Sequence, residues 1–100
     1  MKFGISEKSY NLILSVLKNH PEIDEVIIFG SRVLGNYKNG SDIDIALKGE
    51  ELTSSLVDKI KIELNETLPI PYYLDVVDYN SISNRELKEH IDRFGKKISL

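Results

Sequence analysis

The chain has 100 residues, 41% of them hydrophobic and 29% charged, with a net charge of −3 and no cysteine. This length supports one core, the composition is that of a folded chain, and the acidic balance argues against a general nucleic-acid binder, which carries a basic stripe. Disulfides and thiolate zinc sites are excluded, and no run nears the roughly 18 apolar residues of a membrane helix.

The start, Met1 to Glu7, turns polar before an apolar signal region can form, so a cytoplasmic location is expected. From Ser6 to His20 the apolar residues Tyr10, Ile13, Leu14, Val16 and Leu17 recur at helical spacing, with Ser6 as N-cap and Pro21 as stop signal. Val26-Ile27-Ile28-Phe29 is a short β-branched run that predicts a buried strand ending at Gly30. The stretch Gly30 to Gly40, rich in Gly and Asn, predicts a turn, a short helix and a loop. Asp42 to Leu47 alternates acid and apolar residue and predicts a strand with one apolar face.

Leu52, Leu56, Ile60 and Leu64 step at i+4 along a second amphipathic helix that ends before Pro69. Tyr72 to Val77 predicts a third strand. Ser83 and Glu86 have capping-box spacing ahead of a last helix with Leu87, Ile91 and Phe94 on its apolar stripe and Gly95 at its end. Lys96 and Lys97 are expected in a solvated tail, and His20 is expected to meet the terminal carbonyls of the first helix. The result is an α/β chain of about three main strands flanked by helices, read as a single domain over 1–100.

Three features carry chemistry. Side chains two apart on a strand share a face, so Asp42 and Asp44 project together, roughly 6.5–7 Å apart along the backbone. Asp75 sits among the apolar residues of the third strand, and if the strands are adjacent the three acids converge. Two carboxylates ~4 Å apart repel by about 4 kcal/mol at an effective dielectric near 20, so such a cluster raises a pKa or binds a cation. Hard oxygen donors favour Mg²⁺ or Mn²⁺ over zinc. Gly30 and Ser31 offer close backbone approach, a hydroxyl and turn N–H groups to phosphate oxygens, and Arg32 adds charge. Each feature alone has a plainer reading: the solvated face of an edge strand for Asp42 and Asp44, an ordinary hydrogen-bonded Asp75, and a simple turn at Gly30-Ser31.

The combination is more specific than its parts. A strand, Gly-Ser, ten intervening residues and Asp-apolar-Asp-apolar, followed by a later strand with a third Asp, resembles the polymerase-beta-like nucleotidyltransferases. Phe29-Gly30-Ser31-Arg32, Gly35 and Ser41-Asp42-Ile43-Asp44-Ile45-Ala46 look like the minimal nucleotidyltransferase (MNT) family, small prokaryotic proteins paired with HEPN-domain toxins. The family often carries a second Arg shortly after the first, where this chain has Val33-Leu34, and Leu34 cannot contact phosphate.

The resemblance implies a polymerase-beta-like fold and a nucleotidyltransferase using ATP and two Mg²⁺ ions, or Mn²⁺. Asp42, Asp44 and Asp75 would be the catalytic metal ligands, and Gly30, Ser31 and Arg32 the nucleotide site. The implied acceptor is a hydroxyl of a HEPN-type toxin, making this chain an antitoxin. The alternative is a binding module that neutralises its partner by contact with little or no turnover. A homodimer or hetero-complex fits the short, apolar-faced helices.

Overall fold

A computed structural model describes residues 2–100. Helix α1 spans Glu7–Leu17, and Ser6 caps it by accepting the Ser9 N–H. Strand β1 follows at Glu25–Phe29, then the single-turn helix α2 at Ser31–Leu34 and strand β2 at Ile43–Lys48. Helix α3 covers Ser54–Thr67 behind a Thr53 cap, and strand β3 covers Leu74–Asp78. A 3₁₀ turn at Tyr79–Ser81 leads to helix α4 at Arg85–Phe94, and strand β4 closes the order at Lys96–Ile98.

The four strands form one mixed sheet in the order β3-β2-β1-β4. β1 runs antiparallel to both β2 and β4, whereas β2 and β3 run parallel. The parallel pair needs a crossover, and α3 supplies it. β1 and β2 lie inside the sheet, which explains the Val26–Phe29 apolar run of β1 and the Ile45-Ala46-Leu47 run of β2.

Alternation along the strands divides the core into two layers. Val26, Ile28, Ile43, Ile45, Leu47, Leu74 and Val76 face α1 and α3, meeting Ile13, Leu17, Ile60 and Leu64. Ile27, Phe29 and Ala46 face the other way, towards Ile91 of α4. α4 shields this second face with only one fully buried residue, and Phe94 is left largely exposed. The second face is also the one on which Asp44 and Asp75 fall, in step with Ala46 and Val77.

Some expectations shift. β2 begins at Ile43, so Asp42 stands just outside the strand. The α4 cap is Asn84, whose side chain accepts the Leu87 N–H, rather than Ser83 with Glu86. Lys96 and Lys97 belong to β4 instead of a free tail, and Lys97 pairs with Glu25 at 3.2 Å. The His20 side chain meets Glu63 of α3 at 2.9 Å, and it is the His20 backbone N–H that donates to a terminal carbonyl of the first helix, Leu17 O, at 3.1 Å. Gly95 ends α4 with ordinary backbone dihedrals. It must be glycine because a Cβ there would press on Ile91 O and Ile27 Cγ2. No described helix is long and apolar enough to cross a membrane.

Candidate active site

Local sequence dictates how the site begins. β1 ends at Phe29, and Gly30 follows with φ 79°, a dihedral that side chains disfavour. The chain can then turn into α2 while lying flat against β2, where Phe29 is the partner of Asp44. A Cβ on Gly30 would overlap Asp44 Oδ2. Glycine here therefore admits both the backbone turn and the carboxylate beside it.

The parallel register of β2 and β3 sets Asp44 directly opposite Asp75. Both are half-buried, and Asp42 is exposed one residue before β2. The Asp44 carboxyl is pushed above the ordinary carboxylate range, first by burial and then by the negative charges of Asp75 and Asp42. His90 opposes that rise. Among the described residues, no three His, Cys, Asp or Glu side chains are drawn together tightly enough to form a ready-made metal cluster.

Three residues without any sequence signal support these acids. Lys61 of α3 places Nζ 3.0 Å from Asp75 Oδ1, and the contact holds the ammonium charged above its usual range. Asn65, one turn further along α3, clasps the edge strand just before Asp75. Its Oδ1 accepts the Leu74 N–H at 2.9 Å and its Nδ2 donates to Leu74 O at 2.8 Å. His90 of α4 accepts the Gly30 N–H on Nε2 at 3.0 Å, with its ring edge-on to Phe29 and tilted against Phe94. Such pairings join residues remote in sequence, and no local spacing announces them.

Ser31 opens α2 beside Gly30 and is half-buried. Arg32, by contrast, is only 3% exposed. Its guanidinium donates to Phe3 O at 3.1 Å and Ser41 O at 2.7 Å, with the rings of Tyr37 and Tyr72 each 4.9 Å away. The sequence offered Arg32 as an anion contact, yet in this arrangement its charge is spent on carbonyls and aromatic faces. Leu34 points outward and is half exposed.

Comparison with known proteins agrees with this architecture. Residues 11–99 match the family model described as "Polymerase beta, Nucleotidyltransferase". The chain belongs to that family. Within it, the fold is that of the minimal nucleotidyltransferases found in toxin–antitoxin complexes. One similar structure is a toxin–antitoxin crystallised with AMP-PNP, 27% identical over 87% of this chain and 69% of the other, with a TM-score of 0.71. A Y104A mutant of the MntA–HpeT toxin–antitoxin is 25% identical over 90% of this chain and 71% of the other, again at 0.71. A third is the tri-AMPylated Shewanella oneidensis HEPN toxin in complex with MNT antitoxin. It is 24% identical over 91% of this chain and 69% of the other, with a TM-score of 0.66, and it attests the fold. No curated protein matches significantly.

Proposed function

We propose that this nucleotidyltransferase transfers AMP from ATP to a hydroxyl of a HEPN-type partner protein and thereby acts as an antitoxin. The observation that carries the reading is the Asp44–Asp75 register beside Gly30, with Asp42 at the mouth of β2. The donor set suits a hard divalent cation: the candidate ligands are all carboxylates, and their crowding already penalises the charge on Asp44. Asp42, Asp44 and Asp75 would hold Mg²⁺, whose bound role is to neutralise charge on the triphosphate and the departing pyrophosphate.

The remaining work falls to the chain itself. Ser31 and the turn after Gly30 receive phosphate oxygens. In the transfer, the acceptor oxygen forms a bond to the α-phosphorus and the bond from that phosphorus to the β-phosphate bridge oxygen breaks. Pyrophosphate leaves, and the hydroxyl proton passes to a carboxylate of the Asp44–Asp75 pair. Arg32 acts at one remove by fixing the loop that delivers Asp42. Support for ATP and for a HEPN partner comes from the neighbours, one holding AMP-PNP and one an AMPylated HEPN toxin.

A second reading keeps the partner and drops the turnover. It is favoured by Asp75 being tied to Lys61. One experiment separates the two. The chain is co-expressed with the product of the adjacent reading frame, and both are weighed by intact mass spectrometry beside an Asp42→Ala, Asp44→Ala control. AMP-sized additions on the neighbour that vanish with the control are expected. A neighbour that stays unmodified while co-purifying in stable complex would replace the enzyme by the binding module.

A further inference from the structure

Lys61 has an unusual position. It follows the core residue Ile60 on α3, the helix that covers the first face of the sheet. Its side chain passes the edge strand β3 and meets Asp75, which lies on the opposite face. Both ends of that reach are fixed. Asn65 donates to Lys61 O at 2.9 Å and to Leu74 O at 2.8 Å, which locks this turn of the helix to the strand. At the tip, the Tyr73 ring centroid lies 5.6 Å from Nζ. Among the described residues Lys61 is the only cation within salt-bridge distance of Asp42, Asp44 or Asp75.

An ammonium and a divalent ion want the same carboxylate oxygens. The ammonium brings a single charge and is tethered by its own backbone. The contact is also wet, with the Lys61 and Asp75 side chains 32% and 45% exposed, so it is screened and readily exchanged. We infer that Lys61 is an internal competitor for the metal position at Asp75: it stabilises the crowded acids while the cation is away and must yield Asp75 before the three carboxylates act together. Lys61 thus sets the divalent-cation concentration at which the site assembles. The inference rests on the metal-site reading proposed above.

The test is a Mn²⁺ titration of the full chain without nucleotide, followed by electron paramagnetic resonance of the free ion and by calorimetry. Lys61→Met is expected to bind Mn²⁺ about two- to five-fold more tightly than wild type, the range set by the modest strength of an exposed ion pair. Lys61→Arg keeps the competing charge and is expected to show no such gain. In an Asp75→Asn background the gain from Lys61→Met should vanish, because the two side chains act as one unit. Lys61→Gln repeats the measurement should the Met variant fold poorly. Mn²⁺ binding that depends on Asp44 but is unchanged or weaker in Lys61→Met and Lys61→Gln overturns the competitor role alone and makes Lys61 a mere surface pair or an aid to aiming Asp75. Mn²⁺ binding that is undetectable, or indifferent to Asp44→Asn, overturns the metal site and this inference with it.

Discussion

At the scale of single residues, Asp44 is the carboxylate whose charge the fold disfavours. Its folded pKa lies above the unfolded value because burial, Asp75 and Asp42 all disfavour the anion. The folded state therefore binds more protons than the unfolded state from an ordinary Asp value near 3.8 upward. Stability from this group is fully present below that pH and is lost as pH rises through the folded pKa. Asp44→Asn removes the penalty, so the variant should melt above wild type at neutral pH, with the gap closing as pH falls towards 4 (roughly the unfolded pKa). Thermal melts across that range check it, and a variant that melts lower at neutral pH would refute it. The same substitution should cut AMP transfer by at least about 10²-fold, the scale on which preorganised electrostatic groups act. Near-normal turnover by folded Asp44→Asn protein would sink the assignment of this carboxylate.

Elements act through their contacts more than through their own propensities. β3 is an edge strand, yet the carboxylate it carries must be held against β2. Asn65 does this by satisfying both backbone groups of Leu74, the residue before Asp75. Asn65→Ala leaves that donor and acceptor without their protein partner and should cost about 1–3 kcal/mol, measured by urea unfolding. Transfer should fall further than global stability explains, because the lost clasp sits next to Asp75. α4 works in the same way on the other side of the site, where His90 fixes the Gly30 N–H and Ile91 seals the second layer. The approach of α4 to β1 is tight enough that Gly95 admits no Cβ before the chain turns into β4. Helix spacing alone made α4 legible but gave no hint that its His90 faces the Gly30 turn.

Over the whole molecule, Arg32 ties together parts of the chain that no helix or strand connects. Its bonds reach Phe3 and Ser41, and its aromatic neighbours are Tyr37 and Tyr72. The N-terminal segment, the loop before Asp42 and the approach to β3 thus share one buried cation. Arg32→Lys keeps the charge but loses the planar fork, so it cannot serve both carbonyls and stack on both rings. We expect a loss of about 2 kcal/mol, in the range for hydrogen bonds to charged groups, read as a lower urea midpoint. A weaker hold on the Asp42 loop should also raise the nucleotide concentration needed for transfer. An unchanged midpoint would mean that the three stretches are held by something else.

The order of the main elements was legible because apolar spacing follows the helix and strand periods, and Gly and Pro mark where they stop. The block from Phe29 to Leu47 was legible as a pattern, because a glycine turn after a strand and acids two apart on the next strand are written in residue type and local order. β4 was hidden because a strand of three residues with two exposed lysines has no apolar period. Its pairing with β1 comes from where α4 releases the chain. The sequence by itself determined the three acids and the glycine turn, since these depend on residue type and local order. Only the tertiary structure decided that Asp44 stands opposite Asp75, that Arg32 is buried in carbonyls and rings, and that Lys61, Asn65 and His90 surround the site. Those are contacts between distant segments, fixed by strand register and helix packing, and neither is written in local spacing.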